Sequence, residues 1–361
     1  MKLTSCNLLF IISLIILTIA IYIFFKTINV NNTKIGGNTN TTNNTTNNIK
    51  KNTIFISVAS YRDNQCPLTL KDLFKKAQNP HNVYVGICQQ NHIKDIDCSI
   101  QKYCSVNKIC TDNQIRIMRL DYKEAKGPTF ARYHCSKLYE NEEYFMQIDS
   151  HTRFTENWDT KLINMLKQCD SNKPILTYYP LNYDSKDTGI PIICESKFAD
   201  NEIPTYQSYI YNAPIKPKLT PFVAAGFFFC NGSFLKEVPY DPNLPYLFNG
   251  EETLFTIRLW THGYDFYVPN DNIVYHYYDR KNEPKFWDDL PDYSKEVKQT
   301  IIKVLYLLKR RTRDQVPKHL LKDLDKYNLG TTRTLEEYYN FSKLDKNHKK
   351  SNKEWCSKYN K

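Results

Sequence analysis

The segment Tyr144-Phe145-Met146-Gln147-Ile148-Asp149-Ser150-His151 joins an apolar run of strand character to two side chains that can bind a metal ion. Because side chains alternate along a strand, Asp149 and His151 point in the same direction at its end. A carboxylate oxygen and an imidazole nitrogen placed in this way can hold one divalent cation, and such a cation can neutralise a diphosphate leaving group. An ordinary strand end followed by a polar turn has the same pattern, since short motifs often match by chance.

The segments around it alternate between strand and helix patterns. Apolar runs rich in β-branched residues predict strands at 53–59, 83–88, 115–120, 144–148 and 175–179, and helical spacing predicts helices at 68–77, 130–139 and 158–169. Such alternation implies an α/β fold with a mixed, mostly parallel sheet flanked by helices. Ligands of these sheets bind beyond the carboxyl ends of the strands, where both 60–63 and 149–151 fall.

The second half of the chain is less regular. An apolar run at 222–229 predicts a strand that Gly226 interrupts, either as a bulge or to allow a close approach. Residues 199–219 show no clear period, so we expect a loop over the site or an irregular insertion. Helical patterns follow at 253–261 and 294–309, and a small helical appendage is expected at 317–339.

Length and charge limit the possible functions. The 361 residues allow one large domain or two smaller ones with appendages. The net charge of +11 suits an anionic ligand such as a nucleotide, or it reflects a solvated basic tail. No nucleic-acid-binding motif accompanies this charge, so nucleic acid is not an expected partner.

The N-terminus predicts a membrane anchor. Residues 8–25 are apolar except for Ser13 and Thr18, a run long enough to span a bilayer as a helix. The run lacks a small-residue cleavage site, which favours an uncleaved signal-anchor over a signal peptide. The organisation we expect is an anchor at 1–26, a disordered Asn/Thr-rich stem at 27–52, a catalytic domain at 53–290, and a helical appendage with a basic tail at 291–361.

The cysteines bear on the compartment. The chain has 11 of them and no Cys-x-x-Cys pair, which argues against a structural zinc site. A lumenal location would favour disulfides and a cytosolic one free thiols, and the connectivity stays open. We expect a single-pass membrane protein, type II with a lumenal catalytic domain, in ER or Golgi or in host secretory membranes.

Two further groups of residues suggest chemistry. Glu251 and Glu252 open a helical stretch, where carboxylates are favourable through the helix dipole alone; alternatively, they are catalytic residues in an acceptor pocket. His276 follows an apolar strand and is either structural or a third ligand beside Asp149 and His151. One carboxylate and two imidazoles, completed by a diphosphate, suit Mn²⁺ or another divalent cation.

In their order and number, several motifs resemble the polypeptide N-acetylglucosaminyltransferases, retaining enzymes whose best-known members modify hydroxyproline on a cytoplasmic ubiquitin-ligase subunit. The resemblance runs through 54–345, and its motifs lie at 60–63, 127–132, 149–151, 225–227, 249–252, 276–278 and 327–339. It implies the GT-A glycosyltransferase fold, a UDP-GlcNAc donor and a protein acceptor with a hydroxyl on hydroxyproline, Ser or Thr. It also implies roles for basic and polar residues: Ser60, Tyr61 and Arg62 would line the uridine pocket, Arg132 would lie near the nucleotide or sugar, and Arg280 would reach the diphosphate.

The second half is also similar to the mucin-type GalNAc-transferases, through 225–226, 250–252, 258–260 and His276. The third metal ligand of that family falls on His276. Glu252 stands where that family has Asn, which puts the acceptor or sugar contact in doubt.

The resemblance implies front-face attack by the acceptor, because no carboxylate is marked as a covalent nucleophile. Two other functions remain open: a catalytically inactive relative that binds sugar nucleotides or glycans, and a metal-dependent phosphodiesterase. The latter usually needs a second metal and more clustered Asp and His than this chain shows.

Overall fold

An eight-stranded mixed sheet forms the centre of the molecule. The computed structural model describes residues 50–198, 202–290, 293–347 and 349–359. The strands in spatial order are β10 (Lys218–Leu219), β12 (Asp265–Val268), β6 (Pro174–Thr177), β11 (Phe227–Asn231), β4 (Glu142–Asp149), β1 (Lys50–Tyr61), β2 (Val83–Asn91) and β3 (Ile115–Asp121). The five strands predicted for the first half of the chain are all confirmed, and β1 begins three residues before its predicted start.

The strand directions place several chain ends together. β1 lies parallel to both β2 and β4, and Ala59 pairs with Asp149. The chain beyond β1 therefore runs beside the chain beyond β4. β11 is antiparallel to β4, with Phe227 paired to Ile148, so the residues before β11 meet the end of β4. The mixed, α/β character of the sheet agrees with the prediction.

Helices cover both faces of the sheet. They are α1 (Cys66–Lys76), α2 (Gln101–Asn107), α3 (Pro128–Ser136), α4 (Trp158–Lys167), α5 (Phe234–Glu237), α6 (Glu251–Thr261), α7 (Phe286–Asp289), α8 (Ser294–Leu307), α9 (Leu324–Tyr327) and α10 (Leu335–Ser342). Side chains that alternate along β1 enter two separate cores. Ile54 and Ile56 pack with Leu70 of α1 in one core, whereas Phe55 packs in the other core, which contains Ile257 of α6.

A small three-stranded sheet brings His276 next to His151. It contains β5 (Thr152–Phe154), β13 (Val274–His276) and β7 (Leu181–Asn182), and His276 pairs with Thr152. Since Thr152 follows His151 directly, this pairing brings the two histidines to the same point.

The loop or irregular insertion expected at 199–219 is irregular at 202–203 and 212–217 but contains two strands. Residues Pro204–Tyr211 form β9, which pairs antiparallel with β8 (Ile190–Phe198), and residues 218–219 form β10. Tyrosines occur on both faces of β9, so the chain shows no apolar alternation here.

The C-terminal region packs onto α6. The carbonyl of Thr261 accepts hydrogen bonds from the backbone N–H groups of Thr332 and Arg333, and the Arg333 guanidinium lies over the Trp260 ring. Within the described residues, disulfides join Cys66 to Cys98, Cys104 to Cys110, and Cys194 to Cys356.

No helix in the described part of the chain is long and apolar enough to cross a membrane. The anchor predicted at 1–26, and the stem up to residue 49, lie outside the described residues.

Candidate active site

The structure brings the three predicted metal ligands together. Asp149 ends β4, His151 follows in the next turn, and His276 ends β13; one ligand atom from each lies within 4.8 Å of the others. His276 Nε2 is 3.0 Å from Asp149 Oδ2, and the two imidazole rings meet edge to face with centroids 4.5 Å apart. A carboxylate and two imidazoles at this spacing form a donor set that fits Mn²⁺.

Asp63 orients one of the histidines. Its Oδ2 accepts hydrogen bonds from Ser150 Oγ and from His151 Nδ1, both at 2.6 Å. Burial alone would raise the pKa of Asp63, but these donors lower it to about 2, so the carboxyl is ionised and can only accept. His151 Nδ1 therefore carries the proton, and the Nε2 lone pair is free to bind a cation. Burial also lowers the pKa of His151, which keeps the ring neutral as a ligand must be.

Arg132 supplies positive charge next to Asp149 and Glu251. The residue is buried, its Nη2 donates to Asp149 Oδ1 at 3.2 Å and to Ala225 O at 3.1 Å, and its Nη1 donates to Glu251. Burial would raise the pKa of Asp149, but hydrogen bonding to His276 and the charge of Arg132 hold it far below its usual value. In this structure the guanidinium bridges two carboxylates.

The two glutamates at the start of α6 have separate partners. Glu251 binds Arg132, as described. Glu252 accepts from the backbone N–H of Ala225 at 2.8 Å and from the hydroxyl of Tyr179 at 2.5 Å. Burial raises the pKa of Glu252 to about 7, against the opposing effect of these donors. Its carboxyl can therefore change protonation near neutral pH.

Except for Asp63, the side chains described above line one open cavity of about 490 Å³, a size typical of small-molecule sites. Its walls include Asp149, His151, His276, Arg132, Glu251, Glu252, Tyr179, Tyr61, Gly226, Tyr278, Arg280, Phe286 and Trp287. Gly226 lies against the metal ligands, since a Cβ added there would be 3.1 Å from Asp149 Oδ2. The sequence left open what approaches this glycine, and here it is the carboxylate of Asp149.

Arg280 offers positive charge to the cavity. Its Nη2 is 3.7 Å from Asp63 Oδ2, and its Nε and Nη2 have no hydrogen-bond partner among the described residues. A guanidinium on a cavity wall is suited to an anion such as a phosphate.

Of the residues predicted for the uridine pocket, only Tyr61 is part of the cavity wall. Its hydroxyl donates to Asp289 Oδ2 at 2.7 Å. Arg62 forms ion pairs with Asp95 and Asp289 instead, at 2.8 and 2.9 Å. Ser60 is fully buried, with its hydroxyl 3.5 Å from Cys98 Sγ.

Comparison with known proteins gives the class of the chain. A family model described as a GlcNAc glycosyltransferase matches residues 53–110 and 101–348. Among solved structures, GalNAc-T7 with UDP, GalNAc and Mn²⁺ is similar at a TM-score of 0.55 and 13% identity, over 81% of this chain and 57% of that one. TarS 1–349 of S. aureus with UDP-GlcNAc has a TM-score of 0.43 and 14% identity, over 81% of this chain and 74% of that one.

At these identities the likeness to GalNAc-T7 is one of fold, and this chain spans little more than half of that structure's length. No curated protein matches the chain. The family model covers most of the sequence and its match includes every group of the candidate site, and on this basis the chain belongs to the GlcNAc glycosyltransferase family.

Proposed function

We propose that the chain is a metal-dependent retaining glycosyltransferase that moves GlcNAc from UDP-GlcNAc to a hydroxyl of a protein, on hydroxyproline, Ser or Thr. The proposal rests on the cluster of Asp149, His151 and His276, which lines a cavity of about 490 Å³. The hydrogen bond to Asp63 keeps the proton of His151 on Nδ1. Family membership supplies the reaction class.

Asp149, His151 and His276 would hold Mn²⁺, which neutralises charge on the diphosphate as the sugar leaves. Arg280, which forms part of the cavity wall, would bind a phosphate oxygen. Tyr61, which also lines the cavity, would lie beside the nucleotide. These interactions accelerate transfer to the extent that they strengthen as charge grows on the leaving group.

The glutamates favour front-face attack over a covalent intermediate. Glu251 is bound by Arg132, and both oxygens of Glu252 accept hydrogen bonds from the protein. In the step we propose, the acceptor oxygen bonds to the anomeric carbon, the bond from that carbon to the β-phosphate oxygen breaks, and the acceptor proton passes to the diphosphate. Mass spectrometry during turnover should therefore find no glycosyl adduct on either glutamate.

We also propose a type II membrane location with a lumenal catalytic domain, an anchor at 1–26, a stem at 27–52 whose last three residues belong to β1, a catalytic domain at 53–290 and a C-terminal region at 291–361. The three disulfides support an oxidising compartment. Protection of residues 53–361 from protease in sealed microsomes would test the orientation.

The decisive experiment is UDP release from UDP-GlcNAc by the full chain in detergent, with Mn²⁺ and with EDTA. We expect EDTA to abolish turnover. Asp149→Ala and His276→Ala should each lower turnover more than about 100-fold, because loss of a residue that only hydrogen-bonds to a metal ligand already lowers metal affinity or activity by ~10–100-fold. Asp271→Ala is the matched control, because that carboxylate is exposed and pairs with Lys161 at 3.1 Å.

Three outcomes would contradict the proposal. Binding of UDP-GlcNAc without turnover would indicate an inactive relative. Hydrolysis of phosphate diesters without a sugar donor would indicate a phosphodiesterase. Turnover that survives EDTA would remove the metal from the mechanism.

A further inference from the structure

The hairpin of β8 and β9 has one covered edge and one open edge. Beyond β8, the backbone of Ser196 exchanges hydrogen bonds with Asn352 at 2.8 and 3.0 Å, and the Cys194–Cys356 disulfide holds this C-terminal segment in place. On the other side, β9 pairs with no strand but β8 within the described ranges. Within the described residues, the chain therefore covers one edge of this hairpin with its own C-terminal segment. On the other edge the carbonyls of Pro204 and Tyr206 accept hydrogen bonds from Thr253 Oγ1 and from the Gln207 side chain, and no second strand in the described part of the chain pairs with β9 from Ser208 onward.

The composition of β9 does not protect that edge. Natural proteins discourage pairing at open edges with charged residues, prolines or bulges. β9 (Pro204–Tyr211) contains no charged residue, no glycine and no proline after its first position. Its second half is accessible, with Tyr209 and Ile210 41% and 45% exposed. An uncharged, accessible edge of this kind is a template for another strand.

The open edge leads into the catalytic cavity. Pro204 and Thr205, at the start of β9, form part of the cavity wall. Because side chains alternate, Gln207 and Tyr209 share the face of Thr205. Thr253 Oγ1 in α6 donates to Pro204 O at 3.0 Å and thereby fixes the start of β9 beside Glu252. An added strand that pairs with the second half of β9 would therefore run toward the candidate active site.

We propose that the edge of β9 binds the acceptor polypeptide in an extended conformation, as an added β-strand that delivers its hydroxyl residue to the cavity at Thr205. This inference rests on the proposed function and specifies its acceptor as an unfolded or extended protein segment. Backbone hydrogen bonds supply the affinity, and side chains of alternate residues meet those of β9. A second copy of this chain is the competing occupant, but pairing of two β9 strands would not use the opening into the cavity.

The first test scans the backbone of the acceptor. The probe is a library of 12-residue peptides with a central Ser, Thr or hydroxyproline, assayed with the full chain, UDP-GlcNAc and Mn²⁺. The best acceptor is then N-methylated at one amide at a time. We expect KM to rise about threefold to tenfold at every second position, because only alternate N–H groups face β9. A response without this period of two overturns the proposal.

Donor hydrolysis separates the two proposals. If no peptide accepts sugar while UDP-GlcNAc is still hydrolysed, the extended-acceptor proposal is wrong and the transferase chemistry stands. If no UDP is released under any condition, the proposed function is wrong, and the acceptor proposal falls with it.

The second test changes the charge of the edge. Gln207→Lys should favour acidic residues at one library position by about two- to fivefold, and Gln207→Glu should favour basic residues at the same position, as cross-strand charge pairs do. Ile215→Lys is the matched control, because Ile215 is 99% exposed and lies outside β9. A shift of preference with the Ile215 variant, or a wild-type dimer that Gln207→Lys dissociates in sedimentation, would overturn the proposal.

Discussion

Asp63 keeps its charge although it is fully buried, because Gln65 N–H, Ser150 Oγ and His151 Nδ1 all donate to it. Replacing the carboxylate by an amide removes the charge that fixes the His151 proton on Nδ1. Metal affinity depends on such partners, since they set both the orientation and the basicity of the ligand.

We therefore expect Asp63→Asn to weaken Mn²⁺ binding by about 10–100-fold, as measured by titration calorimetry or by the EPR signal of free Mn²⁺. Asp97→Asn is the control, because that carboxylate pairs with Arg119 on the surface. An unchanged dissociation constant in Asp63→Asn would contradict the role given to Asp63.

A second prediction at the scale of single residues concerns pH. The pKa of Glu252 is raised to about 7 by burial, whereas an unfolded Glu titrates near ~4.3. Between these two pKa values the folded state therefore binds more protons than the unfolded state. The Glu252 carboxyl stabilises the fold fully at low pH, and this stabilisation is lost as the pH rises through about 7.

The variant Glu252→Gln mimics the neutral form of this carboxyl. We expect its gain in unfolding free energy over the native chain to be larger at pH 8 than at pH 5.5 by roughly 2 kcal/mol, measured by urea unfolding. A gain that is equal at the two pH values would mean that Glu252 is ionised throughout.

The individual residues differ in how far the sequence predicted them. Asp149, His151 and His276 could be named because their residue types imply metal ligation. Asp63 lay in a recognised motif but received no role, since only the pairing of β1 with β4 brings it to His151, 88 positions away. Arg132 was predicted to lie near the nucleotide or sugar, and it lines the candidate cavity. A sequence does not show whether a guanidinium binds a ligand or the carboxylates of Asp149 and Glu251.

At the scale of elements, the antiparallel insertion of β11 beside β4 makes Gly226 a wall of the metal site. A Cβ at Gly226 would lie 3.1 Å from Asp149 Oδ2, so it has to push the carboxylate aside by a few tenths of an ångström. We expect Gly226→Ala to lower Mn²⁺ affinity and turnover while the melting temperature stays nearly constant, because φ at this position does not require glycine. A large loss of thermal stability with native metal affinity would show that the glycine serves packing instead.

Strands whose two faces are both buried were predicted well. β2, β4 and the part of β1 that follows its three exposed residues are mostly buried, so apolar β-branched runs identify them. β9 was missed because tyrosines occur on both of its faces. Tyrosine suits buried and half-exposed positions alike, so the sequence lacks the apolar–polar alternation that identifies a strand buried on one face. Its pairing with β8 and its place beside the cavity follow only from the fold.

At the scale of the whole molecule, the disulfides close loops of very different length. Cys194–Cys356 joins residues 162 positions apart, whereas Cys104–Cys110 spans 6. If constraint of the unfolded chain dominates, the long loop stabilises by about 5 kcal/mol and the short one by about 2 kcal/mol. Replacing each pair by serines and measuring urea unfolding without reductant should show the larger loss for Cys194/Cys356. Equal losses would mean that native packing, and not loop length, sets the effect.

The separation of Asp149 and His276 by 127 positions affects how the protein matures. A chain that is still being synthesised cannot bring these two groups together until β13 has emerged and paired with β5 beside the finished sheet. If this cluster binds a metal ion as we propose, strong binding would require the completed fold and would be absent from any N-terminal intermediate. The ion would then be captured late in synthesis, and partly folded chains would not compete for it.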